Sequence, residues 1–139
     1  MELHIVQNKP FLDSADVNRI LASARAEAER NGWAVAIAAV DDGGHPLALI
    51  RLDGAAPASA YIAQEKARTA ALGRRESKVY EDMINGGRPA FLSAPLAGTL
   101  EGGVPVIVGG HVVGAVGVSG VKSDQDAQIA RVGAQSVVA

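Results

Sequence analysis

The stretch Trp33-Ala34-Val35-Ala36-Ile37-Ala38-Ala39-Val40-Asp41-Asp42-Gly43-Gly44-His45-Pro46-Leu47-Ala48-Leu49-Ile50-Arg51-Leu52 decides how this chain folds. Trp33 to Val40 alternates two apolar sets. Trp33, Val35, Ile37 and Ala39 fall on one face, and Ala34, Ala36, Ala38 and Val40 on the other. A strand apolar on both faces must be covered on both, by helices or by another subunit. Asp41-Asp42-Gly43-Gly44 is a strong turn signal, so Leu47 to Leu52 returns as the partner strand of a hairpin. Pro46 has no backbone donor, which places it at the start of that strand.

Outward from the hairpin the apolar period becomes helical. Asp13-Ser14-Ala15-Asp16 predicts a helix start, with a capping side chain and an acidic first turn. Val17, Ile20, Leu21, Ala24 and Ala28 follow at helical spacing, and Asn31-Gly32 supplies the stop. Downstream, Ala58 to Leu72 predicts a helix with Ile62, Ala63, Lys66, Ala67 and Ala70 on one stripe, broken at Gly73. Arg75 to Ile84 predicts a shorter helix closed by Asn85-Gly86-Gly87, followed by a loop-rich stretch over 86–103. Val104 to Val108 and Val112 to Val118 flank Gly109-Gly110-His111 as a second hairpin, and Gly114 and Gly117 predict close approach of another backbone. Ser123 is expected to cap the last helix with Asp126 completing a short capping box. The order helix, hairpin, two helices, hairpin, helix predicts an α+β fold: an antiparallel sheet with helices packed on it.

The 139 residues suit one domain with its own core. That core is built from small side chains: 26 alanines and 16 glycines stand against five aromatics. A domain so poor in large anchors is expected to extend its burial by homo-oligomerising. Thirteen basic and 15 acidic residues give a net charge of −2 without a basic run, which argues against nucleic acid as a partner. No apolar stretch approaches the roughly 18–20 residues that cross a bilayer. Met1-Glu2-Leu3-His4-Ile5 lacks the pattern of a signal peptide, so a cytoplasmic location is expected. The absence of cysteine excludes disulfides, thiolate catalysis, c-type haem attachment and cysteine–zinc sites.

Three histidines are available for metal or haem: His4, His45 beside the first turn, and His111 on the second. None has the spacing of a helical metal pair, and no metal site is expected; each reads as an exposed terminal or turn residue. Haem ligation through one of them is nevertheless chemically allowed. Gly102-Gly103 precedes a strand where no hairpin turn is required. It reads either as a simple bend or as backbone N–H groups that form an anion-binding concavity. Lys66, on a stripe of small residues, either snorkels to solvent or points into a cavity. If it faces Glu101 there, burial would tune the pair for acid–base catalysis. Ser119-Gly120 ends the last strand, and the helix start that follows carries Asp124 and Asp126, so capping is expected there rather than phosphate binding.

Several blocks carry a family resemblance: Ala38 to His45, Ala63 to Ala70, Gly102-Gly103-Val104-Pro105, Val113 to Gly120, and Asp124-Gln125-Asp126. Together they resemble the signature blocks of the GlcG/HbpS-like family, which also includes the C-terminal domain of PduO-type proteins. The resemblance implies a profilin-like antiparallel sheet of about five strands flanked by helices, assembled into dimers up to octamers. It also implies a small-molecule ligand, with haem or another tetrapyrrole as the first candidate. Asp41, Gly102, Gly103, Ser119 and Gly120 are the candidate ligand-binding residues. The alternatives are a lyase- or isomerase-type enzyme, acting on aromatic hydroxylamines or small organic acids through Lys66 and Glu101, and a structural oligomer without chemistry of its own.

Overall fold

The structure is a computed structural model and describes residues 3–138. Met1 and Glu2 of the N-terminal segment lie outside the described residues. Helix α1 spans Ser14–Arg30 and opens with a reciprocal cap: the Asp13 carboxylate accepts from the Asp16 N–H at 2.9 Å, and the Asp16 carboxylate accepts from the Asp13 N–H at 3.0 Å. Strands β1 (Ala36–Asp41) and β2 (Pro46–Arg51) form the first hairpin. Helices α2 (Ala58–Gly73) and α3 (Lys78–Asn85) follow, then a 3-10 turn over Pro89–Ser93. Strands β3 (Gly103–Val108) and β4 (His111–Ser119) form the second hairpin, and α4 spans Ser123–Gln135.

The strands make one antiparallel sheet in the order β2-β1-β4-β3. Among the described residues it has four strands, where the family resemblance implied about five. At the centre β1 pairs with β4, from Ala36 opposite Ser119 to Asp41 opposite Gly114. Both hairpin turns therefore fall at one end of the sheet. The start of β3 and the exit of β4 fall at the other.

Each face of β1 has its own cover. Val35, Ile37 and Ala39 pack with Ile20 and Ala24 of α1 and Ile129 of α4 in one core. Ala36, Ala38 and Val40 pack with Ala63, Ala67 and Ala70 of α2 in another. This chain's own helices thus cover the two-faced strand, and β1 needs no second subunit for that purpose. The α2 seam is nearly all alanine, which brings helix and sheet backbones close together. Glycines make the closest points. A Cβ on Gly117 would overlap the Ala63 carbonyl oxygen and lie 2.9 Å from the Ala67 Cβ. A Cβ on Gly103 would overlap the Lys66 carbonyl oxygen.

The helix expected over 75–84 spans Lys78–Asn85, β1 starts at Ala36 and not Trp33, and at two helix ends the capping residue differs from expectation. Gly73 is the last residue of α2, and the left-handed cap falls on Arg74 (φ 57°, ψ 33°). The Tyr80 ring takes the place a Gly73 side chain would occupy, so size and not backbone freedom selects glycine there. At α4 the cap position belongs to Lys122, whose N–H donates to Gln125 Oε1 at 3.4 Å, while Asp126 turns inward.

Gly117→Ala puts a methyl group against the α2 backbone and should cost about 3 kcal/mol. Thermal unfolding followed by circular dichroism should show a fall of roughly 10 °C. A change of less than about 2 °C would show that α2 does not seat this closely on β4.

Candidate functional site

Lys66 lies on the alanine stripe of α2 and is only 3% exposed. Its ammonium donates to the Val118 carbonyl at 2.9 Å and to Asp126 Oδ2 at 3.1 Å. Asp126 is 2% exposed, and its other oxygen accepts from the Val121 N–H at 3.1 Å. Since α2 and α4 cover opposite faces of the sheet, this ion pair joins them around the exit of β4. Gly102 leaves the passage open: a Cβ there would lie 2.8 Å from Lys66 Nζ and 2.7 Å from the Val118 oxygen. Burial pushes the Asp126 carboxyl above the usual carboxylate range. The Lys66 ammonium and the N–H groups of Val121 and Gly120 oppose that shift without cancelling it.

The expected pairing of Lys66 with Glu101 does not form, because Asp126 takes the ammonium and Glu101 stays half-buried at the surface. The expected concavity at Gly102-Gly103 is also filled from within the chain. The Gly103 N–H donates to Ser77 Oγ at 2.8 Å, and its carbonyl accepts from the Ser77 N–H at 3.0 Å. The Gly102 carbonyl accepts from the Val118 N–H at 3.0 Å. Ser119 is buried, and Gly120 (φ 146°) turns the chain where a Cβ would lie 2.6 Å from the Ala34 oxygen. Lys66, Gly102, Gly103, Ser119 and Gly120 therefore share one closed end of the sheet.

Asp41 sits at the opposite end. Its Oδ1 accepts from the N–H groups of Gly43 and His45, both at 2.9 Å, and lies 3.1 Å from His45 Nδ1. Burial alone would raise the Asp41 carboxyl, but the His45 and Gly43 N–H groups and the His45 ring outweigh it and hold it low. The neighbouring Asp42 is held low chiefly by its hydrogen bond from Lys9. Arg74 closes on the same turn, donating to the Asp42 carbonyl and, at 2.9 Å, to the Ala71 carbonyl.

The surface carries grooves, three of which are well defined. One of about 530 Å³ is lined by Arg25, Trp33, Ile50, Arg51 and their neighbours. A second, about 430 Å³, lies between Lys9, Asp42, Arg74, Ile107, His111 and Val112. A third, about 170 Å³, involves Phe11, Leu12 and Val137. Lys66, Glu101, Gly102 and Gly103 line none of the three. Among the described residues no three His, Asp or Glu side chains cluster as metal ligands, and no helix is long and apolar enough to cross a membrane. Sequence reasoning missed Asp126 as the partner of Lys66, Ser77 as the partner of Gly103, and Arg74 as the left-handed residue.

An open four-stranded antiparallel sheet, covered by α2 on one face and by α1 and α4 on the other, with a lysine–aspartate pair bridging the two covers, defines a small α+β domain. Residues 12–135 match the family described as haem degrading protein HbpS-like, and the chain belongs to that family. It is 58% identical to protein GlcG of Escherichia coli K12 over 114 residues, 82% of this chain and 85% of the relative. The structure of a Streptomyces reticuli HbpS double mutant superposes with a TM-score of 0.85 at 31% identity, covering 95% of this chain and 90% of that one. The crystal structure of a PduOC–haem complex is similar in fold, with a TM-score of 0.83 at 24% identity, covering 92% and 96%.

Breaking the buried pair should be costly. Lys66→Met strands Asp126 and should cost about 3–5 kcal/mol, whereas Lys66→Met with Asp126→Asn should recover a large part of that loss. Denaturant unfolding of the four proteins in a double-mutant cycle measures the coupling. A single Lys66→Met protein within about 1 kcal/mol of the parent would show that the pair does not close as described.

Proposed function

We propose that this protein is a small-ligand-binding domain whose ligand is haem or a related tetrapyrrole. One observation carries this: nearly the whole chain, residues 12–135, matches a family described by haem degradation. A fold neighbour crystallised as a haem complex supports it. The chain's donor set fits. His4, His45 and His111 are all exposed, and a single imidazole suffices to ligate haem iron. Bound haem would supply an iron centre with a further coordination position. The lyase or isomerase alternative gains no support from the geometry, since Lys66 is closed on Asp126 and lines none of these three grooves.

Self-association belongs to the same proposal. Strand β2 is at the sheet edge, and Leu47 and Leu49 on it are each 42% exposed. An unpaired edge strand with exposed leucines favours a second copy as cover. Light scattering at micromolar concentration should give at least twice the chain mass; a monomer would remove this part.

Titration with hemin should give a saturable complex of one haem per chain, with a Soret band displaced from that of free hemin. A spectrum that superposes on hemin in buffer across the titration would overturn the haem reading.

A further inference from the structure

We infer that the groove between Lys9, the end of α2 and the β3–β4 turn is the tetrapyrrole site, with His111 as iron ligand and Lys9 and Arg74 as partners of the ligand's carboxylates. This rests on the haem reading above. Of the three grooves, this one alone is lined by a histidine. Its composition matches the ligand part by part. His111 is exposed, and its ring has no hydrogen-bond partner among the described residues. Ile107, 46% exposed, and Val112 give an aliphatic wall for a flat macrocycle. Lys9 and Arg74 place two cations around the single carboxylate of Asp42, leaving positive charge over for an incoming anion. The lining thus pairs two aliphatic side chains with four polar ones that could fix the orientation of an anionic ligand at the surface.

The backbone gives a separate reason. Arg74 is the one non-glycine residue with positive φ among the described residues, at a helix end where glycine fits with less strain. Strained backbone persists where the side chain it carries is needed. Here that side chain is a guanidinium anchored on the carbonyls of Ala71 and Asp42, at the rim of the groove. An anchored guanidinium binds carboxylates well because its donors are already oriented. His45 is the competing ligand, yet its Nδ1 faces Asp41 at 3.1 Å and it lines none of the three grooves.

The test compares the parent with His111→Ala, Arg74→Gly and His45→Ala, by titration with hemin and with iron-free protoporphyrin. Arg74→Gly suits the left-handed backbone, and His111→Ala lies on an exposed turn; far-ultraviolet circular dichroism checks both folds. His111→Ala should change the Soret position and weaken hemin binding about tenfold or more, with little effect on protoporphyrin. Arg74→Gly should weaken both ligands about threefold, and His45→Ala should match the parent. If the parent binds hemin but His111→Ala keeps its spectrum and affinity, or if His45→Ala alone loses them, the site assignment is overturned. A parent that binds no hemin overturns the haem reading itself, and this site with it.

Discussion

Helix α2 lies against the sheet at a close separation set by alanine and glycine, and much of the molecule follows from that contact. Ala63, Ala67 and Ala70 meet Ala36, Ala38 and Ala115, with Gly103 and Gly117 beneath the helix backbone. Alanine buries little area per residue, so such a seam gains from close packing more than from transferred surface. It also tolerates no added methyl group where a glycine sits under a carbonyl. The other face is built mainly from valines and isoleucines, with alanines of α1 and α4 among them.

A lysine inside the dry seam has to find a partner within the protein, because water cannot reach its ammonium. Asp126 is delivered by the turn from β4 into α4, and the Val118 carbonyl lies along the way. Taking both charges out of water offsets much of their attraction, so the pair adds little net stability while making either partner hard to remove alone. What it does fix is the relation of α2 to α4 around the sheet end. That closure uses Lys66 together with the amide of Gly103 and the carbonyl of Gly102, which leaves none of these groups free for a ligand.

The fold was largely legible in the sequence because its signals are local. Asp13-Ser14-Ala15-Asp16 formed the expected cap, both Gly-containing turns closed the expected hairpins, and Gly117 marked a close approach. The candidate site was legible only in part. Lys66 stood out as a charge on an alanine stripe, but its partner lies 60 residues away. Asp126 occupies a helix-start position where a capping role is equally consistent with the sequence. Gly73 drew the left-handed break to itself, since glycine is the usual residue there. Nothing local says that Tyr80 needs the space at Gly73, or that the left-handed conformation falls on Arg74. Such outcomes depend on which elements meet in space, which no spacing rule contains.

Dense packing closes the corner of the sheet around Lys66, while the groove proposed for the ligand lies at the turn end. With α2 seated on alanine and glycine, the seam has no room for a flat ligand, and all three grooves open at the surface. The turn end gathers accessible charged groups and a histidine. Asp41 holds the first turn rigid through three hydrogen-bonding contacts, Asp42 gathers Lys9 and Arg74, and the second turn leaves His111 free beside them. Rigid turns on a stiff sheet are good platforms for binding residues, because the scaffold fixes their positions while the side chains remain accessible. The proposed ligand site thus falls where the chain reverses, and the buried Lys66–Asp126 pair holds α2 to α4 at the other end of the sheet.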